Sequence, residues 1–483
     1  MNPPTTVVGP TPPGLYPATA RKHGRAVRAG LSAGGLDSGA TWRISPTPFL
    51  LSLDTYATIQ RLGSHLLGFT RALNRLYYDS VRGAQPAWVA GYLDQGKPEE
   101  LVAFARMNRF RGDLPGVIRP DVLLTETDLM ISELDSVPGG IGITGCMSQL
   151  YSDLGWPILG GRNGMVEGFA AMIRNLSGDR DIVLAIVVSE EAKDYRPEMA
   201  WLAGQLSEAG LPAHLLDPKD VSFTEESLQL PAGQAVSVLY RFFELFDLKN
   251  IPKVDLFFYA AKKGRVKLTP PAKPWLEEKM AFALLHHPVL EPFWKEALDV
   301  ETFSTLLSLM PKTWILDPRP VPPHAVIQGL APGGRPLSNF LELGGLSQKE
   351  RRFVIKPSGF SELAWGSRGV SVGHDMGQPQ WAETLERAIS AFPTSPYILQ
   401  EFRKARRVPA EYHDTVTDEI IEMPGRVRLS PYYFVSGDEA RLGGILATIV
   451  PLDKKLIHGM TDAIMTPCAL ESDTLQTKSG VPL

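Results

Sequence analysis

Apolar residues recur at three- and four-residue spacing from Phe49 to about Arg111. Leu62, Leu66, Phe69, Leu73, Leu76 and Tyr77 form one stripe, which predicts helices with a core-facing side. The rhythm then shortens. VLL (122–124) and MISEL (130–134) read as two short strands, yet Asp121, Glu126, Asp128, Glu133 and Asp135 crowd them, with Arg119 just ahead. A turn-rich PGGIGITG follows, and then a helical stretch over 164–176. From 182 onward DIVLAIVVSEE, PAHLLDP and AVSVLYRFFEL read as buried strands, with an amphipathic helix over 195–209 between the first two. Strands alternating with helices predict a parallel-sheet α/β unit over 182–260. Residues 272–310 read as helical, and 317–336 as a loop rich in chain breakers. The remainder is strand-rich, with RRFVIKP, GVSVG, YILQEF, RVRLSPYYFV and GGILATIVP.

Composition narrows the class. The 483 residues are 44% hydrophobic and 21% charged, with a formal net charge of −4, the balance of a globular chain with a large core. That charge gives no global attraction to nucleic acid or an acidic membrane, so neither is expected as a partner. Cys146 and Cys468 are the two cysteines; they make no disulfide framework and no zinc spacing, which suits a reducing cytoplasm. Apolar runs such as IVLAIVV (182–188) are too short to cross a bilayer. The first 45 residues carry Arg21, Lys22, Arg25, Arg28 and Arg43 against a single acid, Asp37, among many Pro, Gly, Ala and Thr. They read as a flexible basic arm, and 471–483 as a frayed tail.

Three constellations carry candidate chemistry. In RRFVIKPSGFSELAWGSRGVSVG a strand delivers Lys356, and a stretch with Ser358, Gly359, Gly366 and Gly369 leads to a second strand. Glycines let backbone N–H groups approach phosphate oxygens, and lysine adds a compact positive charge. A solvated lysine at a strand end is the competing reading. YILQEF ends in Gln400, Glu401 and Phe402, an edge that can meet an adenine rim and ribose hydroxyls, or a plain strand end. In the acidic pair, alternate residues share a face, so Glu133 and Asp135 point together, and a hairpin turning near 125–128 brings Asp121 beside them. Three such carboxylates repel unless a cation intervenes, and hard oxygen ligands suit Mg²⁺. Arg119 shares the face of Asp121. A solvated acidic hairpin is the alternative.

Together these motifs resemble the circularly permuted ATP-grasp ligases, in particular glutathionylspermidine synthetase and its relatives. R-P-D (119–121) and E-L-D (133–135) are similar to that family's magnesium-holding segments, with Asp135 where the family usually has Asn. EEKMAFALLHHPVLEPFW places Lys279 on the first nucleotide lysine, and VIKPSG places Lys356 on the second. Gln400–Phe402 matches a hinge strand. The segment between the two lysines is longer than in the family, the loop lacks its "GREG" form, and no amidase domain is expected from the residues ahead of the ligase region.

The resemblance implies an α/β (α+β) chain with a circularly permuted ATP-grasp fold and a pre-ATP-grasp-like domain at 165–265. The flanking parts, 46–164 with the acidic site and 266–470 with the lysines, would form the ATP-grasp region. It implies ATP and one or two Mg²⁺ as cofactors, with small-molecule or peptide carboxylates and amines as substrates. In that scheme Asp121, Glu133 and Asp135 hold metal, and Lys279 and Lys356 hold phosphates. The 358–369 loop closes over the triphosphate, Arg119 and Arg428 stabilise the transferring group, and Ser136, Gly139 and Gly140 line a carboxylate pocket. An ATP-binding protein of this fold without ligase activity is the alternative. A dikinase would need a phosphohistidine domain, for which HGMTD (458–462) is the nearest candidate; it reads instead as a loop beside the nucleotide site.

Overall fold

The stripe from Leu62 to Tyr77 lies on a 29-residue helix, Leu53–Val81, whose apolar face is buried. Ser52 caps its first turn by accepting the Thr55 N–H, as an N-cap serine should. The computed structural model describes residues 15–37, 41–135, 137–178, 181–322, 324–364, 366, 368–454, 457 and 461–471.

A large, mostly antiparallel sheet forms the centre. Its strands run in the order Glu419–Glu422, Glu411–Asp414, Arg43–Ile44, Ile464–Leu470, Glu439–Pro451, Gly425–Ser436, Val117–Leu124 and Leu129–Asp135. The two longest strands are buried on both faces, and the two-residue period of a strand sorts their side chains. Val427, Leu429, Ile445, Ala447 and Ile449 pack with the Leu53–Val81 helix and the helices between 280 and 309. Tyr432, Phe434 and Leu446 face the helices Ile141–Asp153 and Gly164–Ser177.

The α/β unit is a four-stranded parallel sheet, ordered Lys267–Thr269, Val238–Phe242, Leu184–Val188, Ala213–Leu216. All five residues of Leu184–Val188 are buried, which explains a strand without alternation. A third sheet is antiparallel, ordered Thr313–Ile315, Tyr397–Glu401, Phe353–Pro357, Ser371–Val372. Phe353, Ile355 and Leu399 pack with Trp381 and Leu385 of the Gln378–Ser390 helix. Val354, Lys356 and Gln400, on the alternate positions, line a cleft facing the large sheet.

The basic arm is corrected in part. Residues 1–14 and 38–40 lie outside the described residues, as do 472–483 of the expected tail. Pro17–Ala33, however, is a helix, with Ala20, Gly24, Val27 and Leu31 buried. Those residues form one stripe at three- and four-residue spacing, which the surrounding Arg, Gly and Ala conceal in the composition. Arg43–Ile44 then joins the large sheet beside Ile464 and Met465. If this helix is part of the core, Leu31→Ala costs roughly 2–5 kcal/mol in urea unfolding. A loosely attached arm gives a change within the measurement error.

Candidate active site

The acidic pair closes into a hairpin. Asp121 faces Glu133 and Arg119 faces Asp135, with a register shift between Asp121 and Val122. The adjoining strand brings Arg428 from more than three hundred residues away, and Lys279 arrives at the start of the Met280–Leu285 helix. Each acid meets a cation. Arg119 donates to Asp135 at 2.6 Å and stands 3.5 Å from Asp121. Arg428 donates to the other Asp121 oxygen at 3.0 Å, while Ser430 donates to the first at 3.2 Å. Lys279 stands 3.5 Å from Glu133. Lys356 reaches across the cleft and donates to the Ser132 carbonyl at 2.8 Å.

Burial and charge set the protonation states. Burial pushes the Glu133 carboxyl up, but Lys279, Lys356, Arg119 and Arg428 outweigh it and hold it down at about 2. Burial pulls Lys356 down to about 8, with Glu133 opposing. Asp135 is raised by burial despite Arg119. Arg119 stays charged, because Asp121 and Asp135 overcome its burial.

Two clefts meet at this cluster. One, of about 840 Å³, lies between the hairpin and the third sheet, lined by Lys356, Gln400, Glu401 and Phe402. The other, of about 190 Å³, opens toward the α/β unit, lined by Arg119, Asp135, Lys279, Gly139, Gly140, Gly359 and Gly366. Asp121, Glu133 and Arg428 line both. The chain segment around 358–369 borders the second cleft. Ser358 accepts the Met280 N–H on its hydroxyl at 2.9 Å and the Lys279 N–H on its carbonyl at 3.0 Å. Lys279 donates to Ala364 O at 3.3 Å, and the Gly369 N–H to Leu363 O at 2.9 Å. Arg368 reaches Glu191 of the α/β unit at 3.1 Å.

Two expectations change here. Among the described residues no group of three or more His, Cys, Asp and Glu is gathered to hold a metal; the acids are ion-paired instead. Their hard oxygens suit Mg²⁺ in chemistry. The Nε atoms of Arg119 and Arg428 are buried without a hydrogen-bond partner, and an anionic oxygen would satisfy them. The set therefore fits a magnesium ion that brings phosphate oxygens with it, rather than a preformed all-protein cage. The second change concerns Tyr397–Glu401. It is an interior strand, flanked by Thr313–Ile315 and Phe353–Pro357. The N–H groups of Glu401 and Phe402 are spent on Lys312 O and Arg352 O, and the Gln400 amide donates to Thr313. The strand therefore does not present an open edge there. Phe402 instead lies against the His374 ring, 4.5 Å between centroids.

Some expected residues stand apart or fall outside view. Ser136 lies outside the described residues, as do 458–460 of HGMTD; Asp462 pairs with Lys454 and Arg43. Other residues were not anticipated. Glu198, buried in the α/β unit, accepts the N–H groups of Gly140, Gly142 and Ile143, and burial raises it to about 7 against those bonds. Tyr432 donates to Gly139 O at 2.8 Å, so the Gly139–Gly140 turn is held from both sides. Glu244 and Glu277 line the second cleft; burial, then Glu277 and Asp135, push Glu244 up to about 8. Arg241, fully buried, pairs with Glu277 and donates to three backbone carbonyls. An arginine within the apolar run VLYRF was the available signal.

No protein-family model matches the chain, and no curated protein matches its sequence. Its shape has a counterpart. A glutathione synthetase like-effector from Globodera pallida, in its apo form, superposes with a TM-score of 0.58 over 95% of this chain and 98% of that one, at 11% sequence identity. The chain has a glutathione-synthetase-like fold. A protein described as a gamma-glutamylcysteine synthetase from Methylobacillus flagellatus KT covers 88% of this chain and 90% of its own at 12% identity; its TM-score of 0.42 is too low to carry an argument. Within the glutathione-synthetase-like fold, the hairpin, the third sheet and the α/β unit enclose the two clefts. No described helix is long and apolar enough to cross a membrane.

The state of Lys356 makes anion binding depend on pH. Below about pH 8 the free protein holds Lys356 charged; above it, binding an anion must first take up a proton. Calorimetry with inorganic tripolyphosphate should show affinity falling as pH rises past about 8. Lys356→Met should weaken binding and flatten that slope.

Proposed function

We propose that this protein is an ATP- and Mg²⁺-dependent carboxylate–amine ligase, forming an amide through an acyl phosphate with release of ADP. One observation carries the reading: two lysines and two arginines converge with three acids where two clefts meet. One cleft is large enough for a nucleotide, and the other opens on the α/β unit. The glutathione-synthetase-like fold supports amide-forming chemistry in general. The finer reading is a circularly permuted ATP-grasp enzyme similar to glutathionylspermidine synthetase. It rests on motif order, with the acids at 121–135 ahead of Lys279 and Lys356.

ATP would lie in the larger cleft, its base near Phe402 and His374 and its ribose near Glu401. Lys279 and Lys356 would hold the α- and β-phosphates, with Gly359 and Gly366 bordering them, while Ser358 and Gly369, whose N–H groups are taken by Pro396 O and Leu363 O, would anchor the segment. Asp121, Glu133 and Asp135 would hold one or two Mg²⁺, which when bound neutralise charge on the β- and γ-oxygens. Arg119 and Arg428 would take the oxygens of the transferring group on their unpartnered Nε donors. A substrate carboxylate oxygen then bonds to the γ-phosphorus as the bond to ADP breaks. The amine attacks the acyl carbon, loses a proton, and phosphate departs. Closure of the 358–369 segment against Glu191 would keep water from the acyl phosphate. The Gly139–Gly140 turn borders the position of the carboxylate, and Glu244 that of the amine.

The test is Mg²⁺-dependent ADP release over pools of carboxylates and amines. Lys356→Ala should weaken ATP binding by at least about tenfold. Glu133→Ala should abolish turnover in a protein that still unfolds in one cooperative transition, at somewhat lower stability because Lys279 and Lys356 lose their partner. Full activity in Glu133→Ala would overturn the role given to the hairpin, and nucleotide binding without turnover in any pool would make the protein a binding module.

A further inference from the structure

We infer that Lys97, far from both clefts in sequence, is a positioning residue for the phosphate-holding groups, acting through Glu278 and Ser358. The inference rests on the proposal that Lys279 and the 358–369 segment hold a nucleotide. Lys97 Nζ stands 2.5 Å from Glu278, and the two side chains are 0% and 1% exposed. The other Glu278 oxygen accepts a hydrogen bond from the Ser358 hydroxyl. Ser358 in turn receives the N–H groups of Met280 and Lys279, on its hydroxyl and its carbonyl. One buried chain of charge and hydrogen bonds therefore runs from the helical region at 87–105 to the backbone that carries Lys279, and to the first residue of the glycine-rich segment.

The surrounding backbone locks the chain in place. Gly96 adopts φ +75°, and a Cβ there would stand 2.2 Å from Thr394 O, so the Lys97 turn packs directly on the 393–396 turn. Gln95 donates to Pro393 O at 2.7 Å, and Pro396 O accepts the Ser358 N–H at 2.9 Å. At the other end, a Cβ on Gly359 would come within 2.6 Å of Glu277 O and 3.0 Å of the Glu278 carboxyl carbon. Glycine is what lets the segment lie against the buried acid. Four separate pieces of chain thus meet at one ion pair beneath the segment.

A buried pair is a poor source of stability but a strong constraint, because losing one partner strands a charge away from water. If Lys97 were merely a core residue, its removal would lower stability without moving the amides of Lys279 and Met280 relative to the rest of the helix. A positioning role makes those amides the sensitive readout, whether or not nucleotide is present.

The variants are Lys97→Met, Glu278→Gln, their combination, and Ser358→Ala, which leaves the ion pair intact and breaks its joint to the segment. Hydrogen exchange at Lys279 and Met280 should accelerate about tenfold or more in each single variant. In the double variant it should return toward the parent, because no charge is stranded and the side-chain amide introduced by Glu278→Gln can still bond Ser358. Calorimetry with Mg²⁺ and a non-hydrolysable ATP analogue should give about tenfold weaker binding in the singles and recovery in the double. Parental exchange at both amides in the folded single variants, or equal acceleration in the singles and the double, would overturn the inference. If Lys97→Met and Glu278→Gln do not fold, Ser358→Ala decides at the Lys279 amide, whose acceptor is the Ser358 carbonyl and survives the substitution: unchanged exchange at Lys279 overturns the inference, and acceleration there supports it. The expected exchange pattern in a parent protein that binds no nucleotide would instead uphold the clamp and reject the nucleotide site.

Discussion

The structure turns on the cost of crowding carboxylates into a buried sheet edge. Asp121 is 2% exposed and lies opposite Glu133 in the hairpin. Acids so placed repel one another in a low dielectric unless positive charge is brought among them. The fold supplies it from three distant places: Arg428 along the neighbouring strand, Lys279 at a helix start and Lys356 across the cleft. This convergence sets the large sheet, the helical layer and the third sheet around one point. It is also why Glu133, partly buried at the meeting of the clefts, remains ionised.

The same electrostatics link architecture to chemistry. On the proposed reading, a polyanion and a divalent cation entering together would unbalance this site, the anion drawing on the lysines and guanidiniums and the cation on the acids. The unpartnered Nε donors of Arg119 and Arg428 show that the pairing leaves capacity unused. Behind this layer stands a second one, mostly withdrawn from the clefts: Lys97 with Glu278, Arg241 with Glu277, which borders the smaller cleft, and Glu198 on the turn at Gly140.

Part of this was legible from residues alone. The hairpin followed from strand alternation, because Asp121, Glu133 and Asp135 fall on one face only if VLL and MISEL pair. The parallel α/β unit followed from apolar runs alternating with a helical pattern, and Lys356 from a strand ending in a glycine-rich stretch. The helix at Pro17–Ala33 was missed because Ala20, Gly24, Val27 and Leu31 are small or sparse among arginines. The interior position of Tyr397–Glu401 was missed because its neighbour Thr313–Ile315 is only three residues long and gives almost no periodic signal.

The sequence by itself determined which residues could carry charge and on which face of each local element they would stand, because helix and strand periods are local properties of the backbone. It could not say that the acids would be neutralised in pairs rather than gathered around a cation-sized gap. Nor could it say that Lys97 would reach Glu278, or that Arg428 would reach Asp121. Those depend on strand order and on how three sheets stack, which are decided by burial summed over the whole chain. Electrostatic partners hundreds of residues apart leave no mark in any window of sequence; only the tertiary structure brings them within hydrogen-bond distance.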